Sequence, residues 1–368
     1  MNAGNQNRIG HIDSIRGIAA LLVLFTHTTE FFLEIPAVEA RGTFLYDIAF
    51  ILRLGETGVI AFFAISGFVI CPSLRGQQYE GSRKFAISRF FRLFPAFWTA
   101  MFLTLLVRYV WPGRAIDWSQ VAGNIPMLYS AFNVDPLQGL YWTLEVELVF
   151  YFLCLILFLC GWLHKPAMLF IVGLVLMVIF QCMVDQPELS GTVRDALNPH
   201  WTAMPKYLAI MFWGGLFRAW YDDRQQVSFI RGYSIPIIVF VVALLFLILL
   251  RPLILLEHFL YRGDYPSFRP AIPQFLGLGL FIVGAVYVKV KNPFFVWLGA
   301  ISYSVYLLHP VVFRGMRQLQ KTVFSQWDDM HLSIYVLVCA ALTIVLAGLV
   351  YRYIEQPAIR IGRNLQSR

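Results

Sequence analysis

The chain has 368 residues, of which 59% are hydrophobic and only 14% are charged, and its formal net charge is +8. Soluble globular domains carry about 25% charged residues, so this composition, with a mean hydropathy of +0.67, excludes an ordinary soluble protein and predicts a polytopic membrane protein. No Pro/Gly/Ser-rich linker or block of charge separates the apolar runs. We therefore predict a single integral-membrane domain over residues 1–368. The basic excess follows from membrane topology and does not indicate a nucleic-acid partner.

The five cysteines give no sign of a metal site. Each lies within an apolar stretch, and none belongs to a C-x-x-C pair or a Cys/His cluster. Cysteines in such positions usually act as small buried hydrophobic residues. We therefore predict neither a bound metal nor a tightly bound cofactor.

Ten apolar runs are long enough to cross a bilayer as helices. A transmembrane helix needs about 20 mostly apolar residues, so the runs predict an all-α fold with about ten spans. They lie near residues 15–34, 56–74, 93–111, 140–162, 166–184, 204–221, 233–251, 271–289, 294–313 and 332–353.

The basic residues predict that both termini are cytoplasmic. Cytoplasmic loops carry an excess of lysine and arginine, and an even number of spans places both termini on one side. With the N-terminus inside, the cytoplasmic segments hold 17 of the 29 lysines and arginines. These are Arg8, Arg16, Arg75, Arg83, Lys84, Arg89, Arg92, Lys165, Arg218, Arg224, Arg231, Lys289, Lys291, Arg352, Arg360, Arg363 and Arg368.

The first run contains two residues that are unusual in a membrane helix, Arg16 and His27. Eleven positions at about 100° each come to about three turns, so both side chains share one face. Their axial separation is about 16 Å, which places Arg16 at the cytoplasmic interface and His27 about halfway through the bilayer core. An arginine can clamp phosphates, and an imidazole can act as a base near neutral pH. Acyl-coenzyme A, with phosphates at one end and a thioester at the other, could touch both.

Structural roles stay open for residues within or next to the first three runs. Arg16 also fits a positive-inside anchor, and His27 also fits a hydrogen bond to a neighbouring helix. In the second run, Ser66 and Gly67 lack bulk, which suits either helix packing or the lining of a narrow pocket. Arg89 and the arginine three positions on, Arg92, share a helix face and could bind several phosphates or anionic lipid.

Two glutamates lie near the start of the fourth run. Glu145 and Glu147 are two positions apart and point to nearly opposite faces, so at most one is expected to face a site. Such a carboxylate could orient His27, bind a sugar hydroxyl or pair with an arginine. Glu30, three positions beyond His27 on its own helix, is a rival orienting carboxylate.

The sequence favours structural roles for two residues in the last part of the chain. His309, which precedes Pro310, follows Ser and Tyr side chains that can satisfy backbone groups within a helical bundle. Glu355 lies just after the last run and is expected to pair with an arginine.

Six motifs, in order along the chain, resemble those of the type-three acyltransferase family of integral-membrane O-acyltransferases. Arg16, ten residues and His27 match the hallmark of that family's first helix. The six motifs are HIDSIRGIAALLVLFTH (11–27), GVIAFFAISGFVI (58–70), SRFFRLFPAFW (88–98), YWTLEVELVFYF (141–152), LGAISYSVYLLHP (298–310) and YRYIEQPAIRIGR (351–363).

The resemblance implies an enzyme that takes an acyl group, most simply acetyl, from cytoplasmic acyl-CoA. It implies transfer to a hydroxyl of a cell-surface or lipid-linked glycan, such as O-antigen, in a bacterial inner membrane. Glu147 aligns with the family's glutamate, and the match favours donor binding by Arg89 and Arg92. The extracytoplasmic esterase-like domain of many members is expected to be absent, and a homo-oligomer is possible.

Two routes of transfer are open from the sequence. His27 can deprotonate the acceptor hydroxyl, or it can carry the acyl group transiently. A different class of protein, a secondary transporter or a flippase of a lipid-linked sugar, would share the ten spans and the intramembrane charges. The lack of matching broken helices in the two halves favours the enzyme.

Overall fold

A computed structural model describes residues 10–33, 43–185, 200–224, 227–230, 233–322 and 331–367. The described part is almost entirely helical, which confirms the predicted all-α membrane fold. The helices are α1 (Gly10–Leu33), α2 (Thr43–Leu52), α3 (Leu54–Ile70), α4 (Gln78–Leu105), α5 (Trp118–Asn124), α6 (Tyr141–Leu159), α7 (Pro166–Asp185), α8 (His200–Asp222), α9 (Ile237–Arg262), α10 (Tyr265–Phe268), α11 (Ile272–Ile282), α12 (Pro293–Thr322), α13 (Leu332–Val350) and α14 (Gln356–Gln366).

Short irregular elements complete the described fold. Wider π-helical turns extend α4 over Leu106–Val110 and α11 over Val283–Tyr287, and a third, Tyr351–Glu355, joins α13 to α14. The 3₁₀ turns are Cys71–Ser73, Tyr129–Phe132 and Arg269–Ala271. Two short antiparallel strands, β1 (Val227–Ile230) and β2 (Tyr233–Pro236), pair with Val227 opposite Pro236.

Within the described residues, nine helices are long and apolar enough to cross a membrane. They overlap nine of the ten predicted runs. The remaining run, 204–221, lies in α8, whose 23 residues are long enough but include several polar and charged side chains. Its central residues Met211, Phe212 and Trp213 are fully buried. A helix enclosed by protein needs less apolar surface than one that faces lipid, which explains its lower hydropathy.

The chain divides into two compact units that alternate along the sequence. Unit 1 comprises residues 1–62, 92–116 and 272–360, and unit 2 comprises residues 63–91, 117–271 and 361–368. The single-domain organisation stays a prediction. Orientation in the membrane also stays a prediction, and three of the basic residues on which it rests, Arg8, Arg231 and Arg368, lie outside the described residues.

In unit 1, the packing of α1 on α12 depends on two glycines. A Cβ on Gly17 would lie 3.0 Å from the backbone nitrogen of Gly299, and a Cβ on Gly299 would overlap the backbone of Asp13. Small residues allow such close approach of membrane helices. Because α1 carries His27 and α12 carries His309, this approach also positions the candidate site.

Replacing Gly299 by alanine is expected to lower stability. The new methyl group must push α1 and α12 apart, and overpacking of this kind typically costs about 1–3 kcal/mol. Gly279→Ala is a matched control, since this helical glycine has nothing within 4 Å of its Cβ position. Thermal unfolding in detergent checks both variants. Equal stability of the two would contradict the proposed packing role of Gly299.

Candidate active site

The two unusual residues of the first run lie on one continuous helix. Helix α1 runs unbroken from Gly10 to Leu33, so Arg16 and His27 are separated by about 16 Å along its axis, as predicted. Both side chains are partly buried. The helix therefore presents a cation and an imidazole on one face. Their depths in the membrane stay a prediction.

The imidazole of His27 is hydrogen-bonded to a second histidine. Nδ1 of His27 lies 2.9 Å from Nε2 of His309, which is 282 positions away in the sequence. His309 lies on α12 and is only 1% exposed. Its other ring nitrogen, Nδ1, lies 3.3 Å from the backbone oxygen of Val305, one helical turn earlier.

The two imidazole rings meet edge to edge. Their planes differ by 10° and their centroids are 5.1 Å apart. The centroids are farther apart than the two bonded nitrogens, which are separated by 2.9 Å. The difference is nearly the sum of the two ring radii, so both nitrogens lie close to the line that joins the centroids. Such an arrangement is an in-plane hydrogen bond, with both ring nitrogens well aligned, and it is not a face-to-face stack.

Aromatic side chains surround the histidine pair within unit 1. Phe31 packs against Phe313 with ring centroids 4.4 Å apart, and Tyr306 and Phe313 both contact the His309 ring. Arg314 is close enough to interact electrostatically with both imidazoles. The pair therefore lies in a largely apolar environment with a permanent positive charge nearby, where electrostatic effects are stronger than in water.

The two carboxylates predicted to orient His27 have different surroundings. Glu30 is exposed on α1, one turn beyond His27. Glu147, in unit 2, accepts a hydrogen bond from the hydroxyl of Tyr151, four positions later on α6. The described partner of Nδ1 of His27 is His309. The orienting roles of Glu30 and Glu147 stay predictions.

Glu145 is the more deeply buried of the two α6 glutamates. It is 2% exposed, and it accepts bonds of 2.8 and 2.7 Å from the backbone nitrogen and the hydroxyl of Ser130. The neighbouring Tyr129 lies in the segment before α6, where burial and the Glu145 charge raise its pKa to about 12. Glu145 thus holds the segment that precedes α6, which is a structural role.

The pair of arginines on α4 has two different sets of partners. Arg92 forms an ion pair with Glu355, a fully buried carboxylate that also accepts a 2.8 Å hydrogen bond from Ser304. This confirms that Glu355 pairs with an arginine. Arg89 lies over the rings of Phe85 and Tyr151, at 5.4 and 5.8 Å from their centroids. Donor binding by Arg89 and Arg92 stays a prediction.

The small residues of α3 are packed against another helix. A Cβ on Gly67 would overlap the backbone of Met211 on α8, and a Cβ on Gly214 of α8 would overlap the carbonyl of Ala64. This reciprocal contact is the helix-packing role that the sequence left open. Ser66 is partly exposed, and pocket lining by Ser66 and Gly67 stays a prediction.

Comparison with known proteins shows which family the chain belongs to. A family model described as an acyltransferase domain, that of the acyltransferase 3 family, matches residues 9–352. The chain belongs to the acyltransferase 3 family. It is also similar to nodulation protein 10 of Rhizobium leguminosarum bv. viciae, with 28% identity over 175 residues. The match covers 41% of this chain and 45% of that relative, so less than half of the relative's length is shared. No solved structure matches.

The family match shows an acyltransferase domain over residues 9–352, in a chain with nine described helices that are long and apolar enough to cross a membrane. The family match extends over both helices that carry the histidine pair, α1 and α12. Across the parts of the chain that the structure describes, no group of three or more His, Cys, Asp or Glu side chains could hold a metal ion. His27 and His309 are candidates for the chemistry because these two titratable side chains meet within the matched region.

Sequence reasoning missed the contact between His309 and His27. The residue was visible as an imidazole next to proline in the ninth run, but nothing local links it to the first helix. Ionisable residues inside membrane helices often pair with one another. Two membrane histidines, His27 and His309, were therefore a detectable signal, although their separation in sequence hid their contact.

Proposed function

We propose that this protein is an O-acyltransferase that moves an acyl group, most simply acetyl, from acyl-CoA to a hydroxyl of a cell-surface or lipid-linked glycan. The observation that carries the proposal is the hydrogen bond of 2.9 Å between His27 and His309 inside the membrane domain. Buried ionisable residues in membrane helices are costly and tend to serve function. Acyl transfer needs a base or nucleophile at such a position.

The donor is proposed to bind along the face of α1. Its phosphates lie at Arg16, where a guanidinium can make paired hydrogen bonds, and its thioester lies near His27, about 16 Å deeper. Cytoplasmic termini would place Arg16 on the side that contains acyl-CoA. Arg89 and Arg92 are further proposed phosphate ligands, and Ser66 and Gly67 are proposed to line the path of the pantetheine arm.

Two routes of transfer use the same imidazole nitrogen. In the direct route, His27 takes the proton of the acceptor hydroxyl as its oxygen bonds to the thioester carbon. The carbon–sulfur bond breaks, and the coenzyme A thiolate recovers the proton. In the two-step route, His27 attacks the thioester carbon and expels the thiolate. The acceptor oxygen then takes the acyl group, and its proton goes to the thiolate.

A carboxylate near the acceptor would complete this site. Glu147 and Glu30 are the proposed candidates, because an ionised carboxylate accepts hydrogen bonds from sugar hydroxyls. Glu147 already accepts one hydrogen bond, from Tyr151, and a carboxylate has room for several more.

Surface glycans report this activity directly. In a strain that lacks the gene, mass spectrometry is expected to show the loss of one acyl increment from a glycan, and expression of the wild-type chain should restore it. Complementation with His27→Ala should not restore it. Identical glycan masses in the deleted and wild-type strains would contradict the proposed acceptor class.

A further inference from the structure

We infer that His309 is a positioning residue that fixes the tautomer of His27 and leaves Nε2 of His27 as its reactive nitrogen. This inference rests on the proposed function, in which His27 is the base or the acyl carrier. It starts from the backbone oxygen of Val305, which lies 3.3 Å from Nδ1 of His309. A carbonyl oxygen can only accept, so Nδ1 of His309 carries a proton.

The remaining protons follow from the chemistry of neutral imidazole. A neutral ring has one donor and one acceptor nitrogen, so Nε2 of His309 accepts. Its partner at 2.9 Å, Nδ1 of His27, must then donate. Nε2 of His27 is left with a free lone pair, which both the direct and the two-step route require.

A doubly protonated His309 would reverse this order, but its surroundings oppose it. The ring is 1% exposed and packs against Tyr306 and Phe313. A second positive charge there would be desolvated and would lie near Arg314.

The in-plane alignment of the two rings adds a second effect. It fixes the orientation of the His27 ring as well as its tautomer, as the carboxylate partner of a catalytic histidine does in a serine protease.

Two substitutions of His309 separate positioning from packing. The amide of glutamine can reach the place of Nε2, so His309→Gln can still accept the proton of His27 Nδ1. The shorter asparagine reaches only the place of Nδ1, so His309→Asn keeps the bond to Val305 but loses the bond to His27. We expect His309→Asn to slow transfer by about 10–100-fold, the usual effect of removing a group that orients a catalytic ligand. His309→Gln should remain within about tenfold of wild type.

The kinetic measurement is thiol release from acetyl-CoA under single-turnover conditions. Protein is placed in nanodiscs that contain total membrane lipid of the source strain, so that the natural acceptor is supplied. His309→Asn should lower the rate constant and leave the acetyl-CoA concentration at half-maximal rate unchanged. A purely structural role predicts instead that Gln and Asn are equally impaired, and that result would overturn the inference.

The spectroscopic measurement does not depend on the enzymatic activity of the protein. Nitrogen-15 spectra of the wild-type protein labelled in its histidine rings distinguish protonated from bare ring nitrogens, and His27→Ala identifies the His27 signals. We expect a proton on Nδ1 and none on Nε2 of His27. A proton on Nε2 would overturn the inference even if His27 proves essential. Conversely, wild-type protein that releases no thiol would refute the proposed function, while the spectrum would still decide the tautomer.

Discussion

His27→Ala is expected to abolish acyl transfer while leaving donor binding nearly normal. A general base contributes about 100–10,000-fold to the rate, and transfer through an acyl-histidine would be lost entirely. The phosphates are proposed to bind about 16 Å away along α1, so the affinity for acetyl-CoA should change little. Single-turnover transfer and equilibrium binding in nanodiscs measure the two effects separately.

Arg16 supplies the matched comparison on the same helix. Arg16→Ala should mainly raise the acetyl-CoA concentration needed for half-maximal rate. Arg16→Lys keeps the charge but loses the planar fork of donors, so it should restore binding only in part. A wild-type transfer rate in His27→Ala would show that the imidazole is structural and would remove the proposed mechanism.

Glu355→Gln is expected to cause the largest loss of stability. Its carboxylate is fully buried and bound to Arg92 and Ser304. Removing one charge of a buried, hydrogen-bonded ion pair typically costs about 3–5 kcal/mol. Thermal unfolding in detergent should therefore show a much lower midpoint than that of the wild-type protein.

The exposed pair of Glu80 and Lys84 on α4 provides the control. Glu80→Gln makes the same chemical change where water screens both charges, so no measurable shift is expected. The double variant Arg92→Met, Glu355→Met should recover much of the stability lost in Glu355→Gln, because both charges of the pair are removed together. An unfolding midpoint of Glu355→Gln equal to that of Glu80→Gln would contradict this account of the ion pair.

The helices were largely predictable because lipid imposes length and composition on each span separately. The first predicted run, 15–34, lies almost entirely within α1, and the runs 166–184 and 332–353 begin within a residue of the helices found. The ends were less predictable. Helix α12 continues to Thr322, nine residues past the predicted run, because polar residues can extend a helix beyond its apolar part.

The candidate site was only half predictable for a related reason. Arg16 and His27 belong to one helix, so their relative position follows from helical geometry alone. His309 reaches His27 only because Gly17 and Gly299 let two helices approach, and no local pattern encodes that contact. A charged residue inside a membrane protein needs a partner of opposite charge, so an ion pair between Glu355 and an arginine could be predicted. Only the packing of the helices identifies that arginine as Arg92.

Transfer of a radiolabelled acetyl group tests the central claim most directly. Purified protein in liposomes made with membrane lipid of the source strain is given labelled acetyl-CoA, and the glycan fraction is extracted and counted. The account predicts label in the glycan with wild-type protein and none with His27→Ala. A flippase or transporter of a lipid-linked sugar would move glycan across the bilayer without using acetyl-CoA. Glycan that crosses the membrane while all the label stays in acetyl-CoA would contradict the account.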